Sequence, residues 1–394
     1  MSGGGSHARF RADARRSSDA RVNVPSQPRA KRSTPVPNTL SRATLSTVAV
    51  ASAFTLVTAC GSAPEDSASG GSDSGDFTPC MVSDSGGFDD KSFNQLSYEG
   101  LQTAAGELNV EPITVQSNSP TDYTPNLNNL VDQGCGLVVT VGFALADATK
   151  EAAEQNTDVN FAIVDDSSIE LDNVKPLTYD TAQSAFLAGY AAASYSKTNT
   201  VGTFGGSQFP TVTIFMDGFA DGVKYFNEQK NRDVRVIGWD VDAQNGSFTG
   251  GFEANEVAKN TAQGLIDQNA DVIFPVGGPI YQSAAQAIRD ANRPIALVGA
   301  DADVYVSDPS VSDLVLTSVT KGLATSTEEV VKAVGDGSFD NTPYVGTLEN
   351  DGVGIAPFHD FESQIDPALQ GELDTIRAGI IDGSITVTSP SSPN

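Results

Sequence analysis

A chain of 394 residues with 39% hydrophobic content can support two or three ordinary cores, which excludes a wholly disordered protein. Fifty acidic residues against 23 basic ones give a net charge of −27, so nucleic acid and anionic lipid surfaces are poor partners. Only two histidines, His7 and His359, leave little for a Ser/His/Asp arrangement or a His-rich metal centre.

Residues 1–42 carry nine of the basic residues and two of the acidic ones, are rich in Ser, Ala and Pro, and show no apolar periodicity. The uncharged run "ATLSTVAVASAFTLVTA" (43–59) follows Arg42 and ends in small residues, the pattern of a secretory signal. "VTAC", ending at Cys60, resembles a bacterial lipobox, in which the cysteine is lipidated and becomes the mature N-terminus. Residues 1–59 are therefore expected to be a leader and lipoprotein signal peptide, and 60–77 a lipidated cysteine with a flexible Gly/Ser/Asp tether. That places the protein on the extracytoplasmic face of a cell membrane.

From residue 80 onward short β-rich runs alternate with helical patterns. Strands are predicted at 80–84, 113–117, 137–142, 160–164, 175–178, 200–204, 234–239, 271–276, 294–299 and 314–318. Amphipathic helices lie between most of them, at 92–107, 124–133, 144–156, 182–196, 212–229, 252–268 and 281–291. Such alternation implies an α/β fold with parallel sheets covered on both faces. Ten strands divide into two Rossmann-like lobes with a cleft between them. A further helix at 321–335, a strand near 344–348 and a helix around 366–381 must pack back on those lobes.

The expected division is 78–180 with 319–337 for the first lobe and 181–318 with 338–385 for the second. Residues 386–394 are expected to be a disordered tail. Hinge segments are expected near 178–182, 316–321 and 337–343. Cys80 and Cys135 each open an apolar strand; if those strands are parallel neighbours, the two residues lie within disulfide reach.

No G-x-S-x-G, H-E-x-x-H, C-x-x-C or G-x-x-x-x-G-K-[ST] motif occurs. The pairs Gly205-Gly206 and Gly277-Gly278 follow strands without dinucleotide-binding spacing, and read as turns with close backbone approach. "GGFDDKSFNQLSYEG" (86–100) offers Asp84, Asp89 and Asp90 close by, but not the spacing of a calcium loop. In a doubly wound sheet ligands bind beyond the carboxyl ends of the strands. Phe93 and Asn94, at the start of the first helix, would then face the cleft as a stacking plate and an edge-reading amide. Phe93 could instead serve the core.

The blocks "DSGGFDDKSFNQLSYEGL", "VTVGFALADA", "NFAIVDDS", "YDTAQSAFLAGYAAA", "GSF", "ADVIFPVGG", "VGADAD" and "LTSVTKG" occur in this order. Over about residues 79–385 they resemble the basic membrane lipoprotein family, nucleoside-binding lipoproteins of ABC transporters. The resemblance implies a type I periplasmic-binding-protein fold, a purine nucleoside such as guanosine, inosine or adenosine as ligand, and a membrane permease as partner. It also implies roles for matching residues. Phe93 and Phe248 would clamp the purine, Asn94 and Asp165 read its edge, and Asp301 with Lys321 hold the ribose. Asp84 would orient the loop or touch ligand, and Gly277 is a further matching ligand-binding position. Asp166 and Asp147 compete with Asp165 for its role.

Two lobes and a hinge imply capture by closure. The chain is expected to act as a monomer, without cofactor, metal or catalysis. A sugar or signalling ligand in the same fold, a nucleoside-processing enzyme, and an added surface role stay open at this point.

Overall fold

The computed structural model describes residues 77–393. The expected leader, the expected lipidation site at Cys60 and almost all of the expected tether lie outside the described residues. The first lobe opens with β1 (Pro79–Ser83), α1 (Phe93–Leu108), β2 (Ile113–Gln116), α2 (Tyr123–Asp132), β3 (Leu137–Val141), α3 (Ala146–Gln155), β4 (Asn160–Val164) and β5 (Val174–Tyr179). The second contains α4 (Thr181–Tyr195), β6 (Thr200–Gly205), α5 (Pro210–Lys230), β7 (Arg235–Ile237) and a small hairpin, β8 (Trp239–Asp240) with β9 (Asn245–Gly246). It continues through α6 (Glu256–Asp267), β10 (Val272–Val276), α7 (Ile280–Ala291), β11 (Ala296–Asp301), the short α8 (Val304–Ser307) and β12 (Val315–Lys321). Last come α9 (Leu323–Gly335), β13 (Tyr344–Gly346), β14 (Val353–Ile355) and α10 (Leu369–Ile381).

Two six-stranded sheets result, ordered β13-β5-β4-β3-β1-β2 and β14-β12-β11-β10-β6-β7. Every pair in them is parallel except β12 with β14. Central strands such as Leu137–Val141 are buried along their whole length, as expected of a parallel sheet covered on both faces. In the first lobe α2 and α3 share a core with one face of the sheet. Helices α6 and α7 do the same in the second. Helix ends follow local chemistry: α1, α5 and α7 stop at Asn109, Asn231 and Asn292, each in the left-handed conformation that an asparagine tolerates. Helix α4 has almost no polar face and is buried nearly throughout. It packs on α5 at backbone distance, because a Cβ added to Gly222 would lie 2.0 Å from the Phe186 carbonyl oxygen.

Cys80 and Cys135 are joined by a disulfide with Cα atoms 5.9 Å apart, at the end of the first sheet remote from the strand carboxyl ends. Cys135 lies two residues before β3, so the bond links β1 to the turn that feeds its neighbour.

Three segments connect the lobes, and backbone hydrogen bonds lace them together. Asp180 N donates to Gly346 O and Gly322 N to Gly352 O, both at 2.8 Å. The third crossing differs from the expected 337–343. Because β13 pairs with β5, residues 338–346 stay with the first sheet and the chain crosses between 347 and 352. Likewise β12 remains in the second sheet as far as Lys321, so residues 319–321 belong there rather than to the first lobe.

The tail also departs from expectation. Residues 386–393 lie against the second lobe: Ser389 Oγ donates to Asp217 Oδ2 at 2.6 Å, and Ser392 Oγ to Asp180 Oδ1 at 3.0 Å. Expected to be disordered, the tail instead uses its serines to satisfy carboxylates of the folded body.

Candidate functional site

A cavity of about 360 Å³ lies between the lobes at the carboxyl ends of both sheets. From the first lobe it is lined by the loop after β1, by Gly142 and Phe143 after β3, and by Asp165 after β4. The second lobe contributes the start of α5, the stretch 252–254, the turn after β10, Asp301 and Lys321. Parallel strands deliver all their carboxyl ends to one side, which is why residues so distant in sequence meet here.

The β1–α1 loop is fixed by two carboxylates. Asp90, buried, accepts the backbone N–H groups of Ser92, Asn94 and Gln95 and so caps α1, where negative charge is favoured. Asp84 Oδ1 accepts from Gly86 N and from Asn94 Nδ2, each at 2.9 Å. Burial lifts the Asp84 carboxyl above its usual range, against the opposing pull of those two donors. With its amide nitrogen committed to Asp84 and Asp90, Asn94 keeps a buried Oδ1 that has no hydrogen-bond partner. An acceptor in that state is costly unless something bound donates to it.

Lys321 is the electrostatic centre. Its side chain is 3% exposed, and Nζ lies 2.6 Å from Asp165 Oδ2 and 3.5 Å from Asp301 Oδ1. The rings of Phe215, Phe93 and Tyr179 surround the ammonium, with centroids 5.0, 5.2 and 5.5 Å away. Burial alone would lower its pKa, but the two aspartates outweigh burial and raise it. Burial raises Asp165 despite Lys321, and pushes Asp301 up to about 6 with the Asp165 charge adding to the effect. Both aspartates have left-handed backbones, φ 64° and 67°, an uncommon state that aims each side chain off the end of its strand.

The structure thus brings Asp84, Phe93, Asn94, Asp165, Gly277, Asp301 and Lys321 together around one cavity. Phe93 is half-buried there. Phe248 does not line it. Its backbone bridges Gly205 and its ring packs edge-on to Trp239, with centroids 6.0 Å apart. Phe252, four residues on, takes the position over the cleft. The glycine pairs explain how: a Cβ on Gly206 or Gly277 would lie 2.4 or 2.6 Å from the Phe252 ring, so only glycine lets that ring seat there. Asp147 is exposed and outside the lining, whereas Asp165 is in it. Phe143, Phe215 and Glu253 also line the site and were not singled out from sequence. Phe143 sits in the quoted block "VTVGFALADA", the one signal that could have marked it.

A family model described as ABC transporter substrate-binding protein, PnrA-like, matches residues 77–383. The chain belongs to the Bmp family. This Bmp protein is 33% identical over 331 residues to the ABC transporter nucleoside-binding protein BmpA of Lactococcus lactis, covering 80% of this chain and 90% of that one. It is 29% identical over 314 residues to basic membrane protein A of Borreliella burgdorferi, covering 77% and 86%. Among solved structures, an ABC transporter solute-binding protein from Aeropyrum pernix superposes with a TM-score of 0.71 at 22% identity, covering 80% of this chain and 94% of that one. An arabinose-binding protein from Geobacillus stearothermophilus superposes with a TM-score of 0.55 at 13% identity, covering 74% and 100%. These likenesses show the two-lobed solute-binding fold. As a Bmp-family member the chain is an ABC transporter substrate-binding protein.

Proposed function

We propose that the cleft captures a purine nucleoside and delivers it to a membrane permease. The observation that carries this reading is the convergence of the Phe93 and Phe252 rings, the unpartnered Asn94 Oδ1, and the Asp165–Lys321–Asp301 cluster on one cavity. Flat rings suit a base, an amide acceptor suits a ring N–H, and paired carboxylates with an ammonium suit vicinal hydroxyls. The Lactococcus relative, named as nucleoside-binding, supports it. Asp84 holds Asn94 in place.

On this reading the protein is a monomeric carrier, anchored through lipid at Cys60 on the extracytoplasmic face, and it returns its ligand chemically unchanged. No helix among the described residues is long and apolar enough to cross a membrane. A sugar is the second reading, because aromatic plates and carboxylates also fit a pyranose.

Thermal unfolding of the mature protein, refolded free of carried-over ligand, against nucleosides, free bases, sugars and amino acids separates the two. At a hundred times its dissociation constant a ligand stabilises by about 2.7 kcal/mol, a shift of several degrees. Inosine, guanosine or adenosine should give that shift, and Phe93→Ala or Asp301→Ala should abolish it. A shift with sugars alone would overturn the nucleoside reading.

A further inference from the structure

The two lobes also meet away from the cavity. Lys91 Nζ, from the first lobe, lies 3.0 Å from Asp308 Oδ1 in the second, and neither residue lines the ligand cavity. The carboxylate is 2% exposed and already held within its own lobe. Ser310 donates to Oδ1 through its backbone N–H at 3.2 Å and its hydroxyl at 2.7 Å, while Tyr281 OH donates to Oδ2 at 3.0 Å. Those donors together with Lys91 hold Asp308 below the usual carboxylate range, although burial pulls the other way. With Lys91 withdrawn, three hydrogen bonds would remain to keep the charge in place. Asp308 is therefore a socket built before its partner arrives.

Lys91 is the more exposed member of the pair. Its side chain is 42% exposed and it takes a left-handed backbone, φ 59°, between Asp90 and Ser92. Ser92 Oγ in turn donates across the cleft to Ala300 O at 3.2 Å. Asp90 fixes both the main chain of this segment and the Asn94 amide. One stretch of three residues thus positions a ligand-facing side chain and reaches over to the other lobe.

We propose that Lys91 and Asp308 form a closure latch that sets how long ligand is retained without touching it. A charge-assisted hydrogen bond made only when the lobes meet adds to the closed state alone, and so slows opening and release. Lys91 and Asp308 are positioning residues, acting through the lobe equilibrium. Their role as release-setting groups for a nucleoside rests on the function proposed above.

The test is stopped-flow kinetics with inosine. Lys91→Met and Asp308→Asn should each raise the dissociation rate about tenfold, the double variant little more than either, with association within about twofold. Lys91→Arg should restore most of the retention. Spin labels at Asp147→Cys and Val257→Cys, in a Cys60→Ser background, report lobe separation independently of ligand identity. Lys91→Met should shift their distances toward the open state. If the wild-type protein binds none of inosine, guanosine and adenosine, the nucleoside reading fails and the spin-label distances still decide the latch. Unchanged distances, unchanged dissociation, or additive effects in the double variant would overturn it. So would a loss of unliganded thermal stability in Lys91→Met large enough to account for weaker binding.

Discussion

Asp165 Oδ2 accepts a 2.6 Å hydrogen bond from Lys321 Nζ across the cleft, joining the end of one sheet to the end of the other. Asp301 adds a second carboxylate to the same ammonium from the second lobe. Burial raises the Asp301 carboxyl most, and the Asp165 charge adds to it against the pull of Lys321, which is the basis of the first prediction.

Because Asp301 titrates near 6 when folded and near 3.8 as an ordinary aspartate, the folded chain holds this proton more firmly than the unfolded one. Its contribution to stability is fully present below about 3.8 and is lost as pH rises through about 6. Asp165 and Asp84 are shifted in the same direction. Asp301→Asn should therefore stabilise the unliganded protein at pH 7.5, by on the order of 1–3 kcal/mol, while abolishing capture. In the wild-type protein ligand affinity should fall up to about tenfold per pH unit below 6, as the carboxylate proposed to accept from ligand is protonated. Calorimetric unfolding and binding titrations across pH 5–8 check both signs.

Phe252 and Phe248 should separate cleanly. Phe252→Ala should weaken nucleoside affinity at least tenfold and leave the midpoint of unfolding within a few degrees, since its half-buried ring faces the cavity. Phe248→Ala should do the reverse, by removing a ring that packs on Trp239. The chain has a single tryptophan, so Trp239 fluorescence reports that unfolding directly.

Gly222→Ala should lower stability by about 2–3 kcal/mol in denaturant titrations. The new methyl would meet the Phe186 carbonyl oxygen, and α4 is buried between α5 and the second sheet with little room to retreat.

Replacing Cys80 and Cys135 together by serine should cost about 4 kcal/mol, the loop entropy of a bond spanning 55 residues. Ligand affinity below the lowered midpoint should change less than twofold, because the bond lies at the far end of the sheet from the cleft.

Much of the fold was legible in the sequence because its signals are local. Runs such as "LVVTV" and "NFAIV" announce buried strands, and the predicted helix bounds fall within a few residues of those observed. What was not legible depends on pairings made at long range. Nothing near Tyr344 says that β13 will align with β5 rather than with the second sheet. In "GSFTGGFE" two phenylalanines four residues apart share the same glycine-rich setting, and only the seating of the Phe252 ring over Gly206 and Gly277 distinguishes them. Ser389 and Ser392 of the tail find carboxylates 172 and 212 residues away, pairings that local composition does not announce.

That tail has a practical side. Ser392 is bonded to Asp180, between β5 and α4, where the first of the three connecting segments passes from one lobe to the other. A purification tag or fluorescent reporter joined to the C-terminus would thus start beside the pivot and load it mechanically. Grafted instead into the exposed turn at 336–338, the same cargo would ride on the first lobe and leave the pivot free.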